Sequence, residues 1–307
     1  MQFLVRHVLA AALPVLILLP EAALANRRAC LNLEQSYAQI ERGASTVEVN
    51  NTLFSATDNG CEELAALALK AGASLEARDR FGAKPLSHAA ASGQAELVKL
   101  FLDSGAPIDA RNLDGSTALY KSAEAGRLEI VKLLVEQGAE VDLPGRSGIT
   151  PLVAAAYMGS EPITAYLIEK GADPKWIDET KKSAIVYAAA RGFLPVTRLL
   201  LDSGVDINAR YGNNLTVLMW TAGHSSEAGV LDIVEVMKLL IDRGANVDDR
   251  DSRGRTALMI AAELNHTAAV DLLLERGADK SLRDGQGKAA ADLTSLTALR
   301  EKLSGAP

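Results

Sequence analysis

Two sequence markers recur in this chain with one shared spacing of 33 residues. The first is a glycine in a polar turn, and the second is a glycine followed by a small residue. The turn glycines are Gly82, Gly115, Gly148, Gly254 and Gly287, and the second set is Gly72, Gly105, Gly138, Gly171, Gly204, Gly244 and Gly277. The interval from 204 to 244 is 40 residues, so one unit carries seven additional residues. Two markers with one period and one shared irregularity predict stacked supersecondary units.

Each unit carries the signals for two short helices. In the second unit, Asp79 and Gly82 predict a turn, because glycine readily adopts a positive φ. Pro85 suits the first turn of a helix, where no amide hydrogen bond is lost, and Gly93 ends that helix. The apolar residues within 97–102 then predict a second helix that packs against the first.

The boundaries of the units follow from this register. Residues 31–42 have apolar positions near a helical period, which predicts an N-terminal capping helix over 26–45. The repeats are predicted at 46–78, 79–111, 112–144, 145–177, 178–210, 211–250 and 251–283, followed by a C-terminal cap at 284–303 and a tail at 304–307. Repeat six contains the insertion, within residues 224–231, and both a functional loop and neutral drift are open interpretations.

The first 25 residues are predicted to be a signal peptide. Arg6 and His7 precede a twelve-residue apolar segment at 8–19, which is short for a membrane span. Ala23 and Ala25 form a small-residue cleavage site, so the mature chain is expected to begin at Asn26. An uncleaved anchor is the alternative.

Net charge and cysteine content indicate the class of partner and the redox compartment of the chain. The formal net charge is −7 and no basic block is present, which argues against nucleic acid as a partner. The two cysteines, Cys30 and Cys61, lie before the repeats and within the first one. Export to an oxidising compartment predicts a disulfide that joins the cap to the array, and two separate buried thiols are the alternative.

The repeat resembles the ankyrin repeat. Repeat three contains DGSTALYKSAEAG and EIVKLLVEQGAEVD, and repeat seven contains SRGRTALMIAAELN and AVDLLLERGAD. The resemblance covers about residues 46–303. It implies an all-α ankyrin-repeat solenoid of paired antiparallel helices joined by β-hairpin-like loops, with about seven repeats plus terminal caps. It also implies protein binding on the concave surface.

One departure from the family pattern concerns the hairpins. The histidine that follows leucine in the family is replaced in six units, by Ser87, Tyr120, Val153, Val186, Met219 and Met259. In the family this histidine forms a hydrogen bond that ties neighbouring loops. We therefore expect a looser hairpin side in the same fold.

No catalytic or metal-binding constellation is evident. The histidines after the signal segment, His88, His224 and His266, lie in three different repeats and are expected to be far apart. The segment 285–288 imitates a phosphate loop weakly, but it lacks the full spacing and falls where the repeat places glycines. The chain is predicted to be non-enzymatic, without a cofactor or a metal.

Candidate binding residues are large side chains at positions where the repeat expects small or polar ones. Trp176 is the clearest case, because it replaces an alanine that three other repeats contain. The predicted contact residues are Trp176, Tyr157, Met158, Tyr211, Arg191, His224, Phe81 and Leu113. Alternatively, Trp176 packs between hairpins and compensates for the missing histidines. Tyr187 and Trp220 are interpreted as core residues.

These observations predict a non-enzymatic protein-binding scaffold of the bacterial cell envelope. The partner is expected to be a protein bound on the concave face of the array. The predicted location is the periplasm of a Gram-negative bacterium, with secretion as a possibility, and the predicted state is a monomer. The alternative is a periplasmic stress-protective factor that supports a redox enzyme such as catalase, and this idea rests on family analogy.

Overall fold

The structure, a computed structural model, describes residues 21–224 and 230–305. Most of the predicted signal peptide, residues 1–20, and most of the predicted insertion, residues 225–229, lie outside the described residues, as do the last two residues of the tail. None of the helices in the described ranges combines the length and the hydropathy that a membrane span requires.

Helices account for almost all the regular structure in the described ranges. The α-helices are α1 Glu21–Ile40, α2 Thr46–Asn59, α3 Glu62–Lys70, α4 Pro85–Ser92, α5 Ala95–Asp103, α6 Ala118–Glu124, α7 Leu128–Glu136, α8 Pro151–Tyr157, α9 Glu161–Glu169, α10 Ala184–Ala190, α11 Leu194–Asp202, α12 Val217–Ala222, α13 Val230–Asp242, α14 Ala257–Glu263, α15 Thr267–Glu275, α16 Ala290–Leu293 and α17 Thr297–Ser304. Short 3-10 turns lie at Glu41–Gly43, Arg146–Gly148 and Gly212–Asn214. The described residues contain no strand, only an isolated bridge between Tyr211 and Leu215.

The helices form two layers. The first helices of successive repeats, α2, α4, α6, α8, α10, α12, α14 and α16, stack on one another, and so do the second helices α3, α5, α7, α9, α11, α13 and α15. The two helices of each repeat also pack together. Each repeat therefore contacts its neighbours in the sequence, which is the organisation of a solenoid. The predicted all-α solenoid is confirmed.

The core lies between these two layers, and the two layers contribute side chains of different size. The first helices contribute small buried residues such as Ala89 and Ala155, which let neighbouring helices approach closely. The second helices contribute larger residues, and Phe101, Leu134 and Leu167 are all fully buried. Removing such apolar surface from water is the main source of stability for this fold, at roughly 25 cal/mol per Å² buried.

The turns of the hairpins are held by aspartate side chains. Asp79 Oδ1 accepts hydrogen bonds from the backbone N–H groups of Phe81 and Ala83, both at 2.8 Å. Asp251 and Asp284 make the same pair of bonds in later repeats. Aspartate is favoured at such positions because its short carboxylate reaches backbone amides two residues on. The local sequence thus fixes the turn.

Backbone hydrogen bonds tie most hairpins to the next. The N–H of Leu113 donates to the carbonyl of Gly82 at 2.9 Å. The same bond recurs from Glu179 to Ser147, from Gly212 to Lys181, from Ser252 to Asn213 and from Gly285 to Arg253. These main-chain bonds connect loops that the missing histidines do not, and the looser hairpin side stays a prediction.

Acid is expected to weaken the hairpins. Burial raises the pKa of Asp79, but bonds from the Ala83 amide and from His88 outweigh this and hold the pKa below its ordinary value of 3.8. The unfolded chain then binds more protons at low pH, so this stabilisation is present above about pH 4 and is lost as pH falls through the folded pKa. Urea unfolding at successive acidic pH values should show the loss. Asp79→Asn should reduce its pH dependence, and an unchanged dependence would contradict the assignment.

The N-terminal cap is joined covalently to the first repeat. Helix α1 packs on α2 and α3, and Tyr37 is buried at that contact. Cys30 of α1 and Cys61, the residue before α3, form a disulfide with a Cα–Cα distance of 5.4 Å. The structure thus places the two cysteines as the disulfide interpretation requires. Helix α1 begins at Glu21 and passes through the predicted cleavage site after Ala25.

The additional residues of repeat six lengthen its second helix. Helix α13 has 13 residues, whereas α11 and α15 have nine each. Part of the insertion therefore extends a helix that packs on both neighbours. The inserted loop itself lies outside the described residues.

Candidate functional site

Three aromatic side chains lie in a row across repeats four, five and six. Tyr157 is the last residue of α8, and Tyr187 and Trp220 are the fourth residues of α10 and α12. Both positions lie on the side of the first helices that lines the concave surface of a solenoid. Together with Met158 and Arg191 we call this surface the aromatic floor.

Ring contacts connect the members of the aromatic floor. The rings of Tyr157 and Tyr187 meet edge to face, with centroids 5.8 Å apart. The Arg191 guanidinium lies 4.3 Å from the centroid of Tyr157 and 5.5 Å from that of Phe193. Edge-to-face and cation–π contacts of this kind each contribute roughly 0.5–1.5 kcal/mol. The rings are therefore held in place before any partner arrives.

A lysine and an aspartate fix the second part of the aromatic floor. The Lys182 ammonium lies 5.4 Å from the Tyr187 centroid and 5.0 Å from the Trp220 centroid. The Tyr187 hydroxyl donates to Asp178 Oδ2 at 2.5 Å. Burial, and then the hydrogen bond to Asp178, raise the pKa of Tyr187 to about 12. The hydroxyl is therefore neutral at physiological pH, and its hydrogen bond is donated to Asp178.

Two of the predicted contact residues expose large apolar surface here. Tyr157 is 44% exposed and Met158 is 48% exposed. Arg191 is half-buried and His224 is exposed on the same side of the array. The equivalents of Tyr157 in the flanking repeats are Glu124 and Ala190, so stacking does not require an aromatic ring at this position.

Two further predicted contact residues form a separate apolar patch at the hairpin tips. Phe81 is 72% exposed and Leu113 is 76% exposed. Leu113 packs over Gly82, where an added Cβ would lie only 2.3 Å from the Leu113 Cβ. The Arg80 guanidinium lies 4.7 Å from the centroid of the Phe81 ring. This patch belongs to repeats two and three and is distinct from the aromatic floor.

Tyr211 was predicted to be exposed, and the structure corrects this. Its side chain is only 7% exposed and lies in the hydrophobic core. Burial raises the pKa of its hydroxyl. The ring fills space at the base of the hairpin, where other repeats place an aspartate or asparagine, so Tyr211 is removed from the contact residues.

Tyr187, Trp220 and Lys182 were missed as site residues. The sequence suggested that both rings belong to the core, but the structure leaves them half-buried on the aromatic floor. A signal was present, because Trp220 follows Tyr187 by one repeat of 33 residues. Two large rings at one repeat position form a continuous surface, and only a register comparison across units shows it.

The comparison with known proteins identifies the repeat. A family model of ankyrin repeats matches three segments, residues 53–145, 141–211 and 209–284. The chain belongs to the ankyrin-repeat family. The crystal structure of the human ASB11 ankyrin repeat domain is similar, with a TM-score of 0.64 and 28% identity over 73% of this chain and 100% of that one. No curated protein matches the sequence. Ankyrin repeats generally mediate protein–protein binding, and the family is typically non-enzymatic.

Trp176 closes a gap in the hydrogen bonding of the ankyrin hairpins. In other repeats an arginine before the hairpin donates to the carbonyl of the turn, as Arg111 does to Gly115 at 2.9 Å. Pro144, the last residue of repeat three, stands at that position before the turn of repeat four and has no side-chain donor. The indole N–H of Trp176 donates to the Gly148 carbonyl instead, at 2.8 Å. This structural role matches the alternative interpretation of Trp176, and its ring is half-buried.

Trp176→Phe is expected to lower the free energy of unfolding by about 1–2 kcal/mol, because the partly buried Gly148 carbonyl loses its donor. Urea unfolding followed by circular dichroism measures this loss. Partner binding should change little, because the ring is retained. A stability equal to that of the wild type would show that the bond is not formed in solution.

The three histidines in the described part of this ankyrin array lie in two places. His88 lies between Asp58 and Asp79, at 3.1 and 2.7 Å, and joins repeat one to repeat two. His224 and His266 both line a cavity of about 470 Å³ in repeats six and seven. These two histidines are therefore closer than the sequence suggested. No group of three metal-ligating side chains occurs in the described ranges.

Proposed function

We propose that this chain is a non-enzymatic scaffold that binds a partner protein on the aromatic floor of repeats four to six. The observation that carries this proposal is the row of Tyr157, Tyr187 and Trp220 in three successive repeats. Tyrosine, tryptophan and arginine supply most of the energy in protein interfaces. A row of them that presents exposed apolar area is a surface that a partner can bury.

Preorganisation supports a binding role for this surface. Asp178 holds the hydroxyl of Tyr187, and Arg191 lies over Tyr157, so little side-chain entropy remains to be lost on association. The cost of ordering a long side chain at an interface is about 0.5–1.5 kcal/mol. Rings that are already fixed avoid most of this cost, and their exposed area contributes to affinity.

We also propose that the protein works in the cell envelope of a Gram-negative bacterium, in the periplasm and as a monomer. The signal segment at residues 1–25 supports export. The disulfide between Cys30 and Cys61 supports an oxidising compartment, because cytosolic thiols are kept reduced. The net charge of −7 supports a protein partner over nucleic acid. Support of a redox enzyme such as catalase rests on family analogy alone.

Affinity capture from periplasmic extract, with mass spectrometry, identifies the partner, and calorimetry with the purified partner then measures binding. Tyr157→Ala and Trp220→Ala should each weaken binding by about 2 kcal/mol or more, which is a loss of roughly thirtyfold. Leu67→Ala is the matched control, because Leu67 is also 44% exposed but lies on α3 in the other helix layer. Equal affinity of Tyr157→Ala and wild type would refute the proposed surface.

Fractionation of the processed protein tests the proposed location in the periplasm.

A further inference from the structure

The cationic side chains on the concave side differ in how many carboxylates pair with them. In repeat seven, the cation pairs with two. Arg255 binds Asp251 through Nε and Nη2, at 3.0 and 2.9 Å. Its Nη1 binds Glu263 at 2.8 Å. One carboxylate thus comes from the hairpin turn, and the second comes from the last residue of the first helix. The guanidinium is fully neutralised within its own repeat.

Repeat three neutralises a cation at a different position, Lys121 within α6, from the same two directions. Lys121 lies 3.3 Å from Asp114 of the hairpin and 3.1 Å from Glu124. Glu124 is the last residue of α6, as Glu263 is of α14. The last position of the first helix therefore supplies a carboxylate to the concave cation in both repeats.

Repeat five has a cation at the Arg255 position of repeat seven, but this cation pairs with no carboxylate of its own repeat. Lys182 is equivalent to Arg255, and Asp178 is equivalent to Asp251. Here Asp178 Oδ2 accepts from Tyr187, and Oδ1 accepts from Thr180 at 2.8 Å and from the Lys182 amide at 3.0 Å. The Tyr187 hydroxyl can donate a hydrogen bond to this aspartate, whereas Ile260, the equivalent residue in repeat seven, has no donor.

The carboxylate at the end of the first helix is absent from repeat five. The last residue of α10 is Ala190, where α6 and α14 have glutamate. Among the described residues the Lys182 ammonium contacts the rings of Tyr187 and Trp220, and no carboxylate pairs with it. A cation beside two rings with no internal anion is complementary to an anion supplied from outside.

We propose that the partner supplies this anion, as an aspartate or glutamate side chain that pairs with Lys182 between Tyr187 and Trp220. This inference rests on the proposed function and specifies the chemistry of the partner. The Tyr187 centroid lies 5.4 Å from the Lys182 ammonium and 5.8 Å from the Tyr157 centroid, so the Tyr157 ring in repeat four lies within about 11 Å of the ammonium. An extended chain advances about 3.3 Å per residue. The partner segment therefore has an acidic residue about three residues from an apolar one that covers Tyr157 and Met158.

Selection from a phage library of random peptides on the immobilised, disulfide-bonded protein tests this directly. Peptides selected on the wild type should contain an acidic residue about three positions from an aromatic or aliphatic one. Selection on Lys182→Met should lose the acidic residue, because methionine keeps the packing on both rings and removes the charge. Selection on Lys182→Arg should retain it. Lys175→Met, on the exposed hairpin of the preceding unit, is the matched control and should select the wild-type motif.

The affinity of one selected peptide gives the quantitative test. Lys182→Met should weaken its binding about tenfold or more, as expected when one partner of a close charge pair is removed, and added salt should weaken wild-type binding. Peptides that lose affinity in Tyr157→Ala but lack an acidic residue would overturn the inference and leave the proposed function intact. Failure to select any peptide that Tyr157→Ala weakens would overturn both. Thermal unfolding of Lys182→Met at the wild-type temperature shows that the fold is retained.

Discussion

Removing the disulfide between Cys30 and Cys61 is expected to lower the free energy of unfolding by about 3–4 kcal/mol, from the loop-closure entropy of a cross-link over about 30 residues. The two cysteines are separated by 31 residues, and they join the cap helix α1 to the start of α3. Without the bond, the cap is held only by packing on α2 and α3. Because repeats contact only their neighbours, the first effect should be local opening at the N-terminus.

Urea unfolding of the wild type with and without a thiol reductant measures this effect. The reductant should lower the unfolding midpoint of the wild type and should not affect the double variant Cys30→Ala, Cys61→Ala. Hydrogen exchange should show faster exchange in α1 and α2 after reduction, with α9 and α11 unchanged. A reductant-independent midpoint in the wild type would show that the bond does not stabilise the array.

Asp178→Ala is expected to cost about 3 kcal/mol of stability, because three donors lose a buried charged acceptor at once. Asp178 is 2% exposed and accepts from Thr180, from the Lys182 amide and from the Tyr187 hydroxyl. The variant should also weaken partner binding, because Tyr187 loses the bond that fixes its ring on the aromatic floor.

Asp284→Ala is the matched control for this prediction. Asp284 occupies the same turn position in the last hairpin and accepts from the amides of Gln286 and Lys288, at 2.8 and 2.9 Å. It is partly exposed and bonds no tyrosine, so its removal should cost less stability than the removal of Asp178. Chemical unfolding of both variants compares the two losses. Equal losses would show that the Tyr187 bond and the burial of Asp178 contribute nothing.

The period of 33 residues was sufficient to predict the architecture. Turn residues such as Asp79 and Gly82 and helix-terminal glycines act locally, so their positions predict the helix pairs without tertiary information. The longer interval in repeat six likewise predicted the position of the additional residues, and α13 is the longer helix there. Register could be predicted because most units repeat the same local signals.

The exposure of the large residues could not be predicted from the same pattern. Tyr211 and Tyr157 both interrupt the repeat, yet one is buried at 7% and the other is 44% exposed. The difference depends on the space that the neighbouring repeat leaves, which sequence position alone does not give. Trp176 shows the same limit, since its indole compensates for Pro144 in the preceding unit through a bond to Gly148.

The sequence by itself therefore determined the number of repeats, their register and the residues that depart from the pattern. Only the tertiary structure decided what each departure does. The reason is competition between neighbours for the same partner atoms: Tyr187 donates to the carboxylate of Asp178, and among the described residues Lys182 contacts two rings and no anion. Such competition depends on distances of a few ångströms between residues of different helices, and a one-dimensional pattern does not contain them.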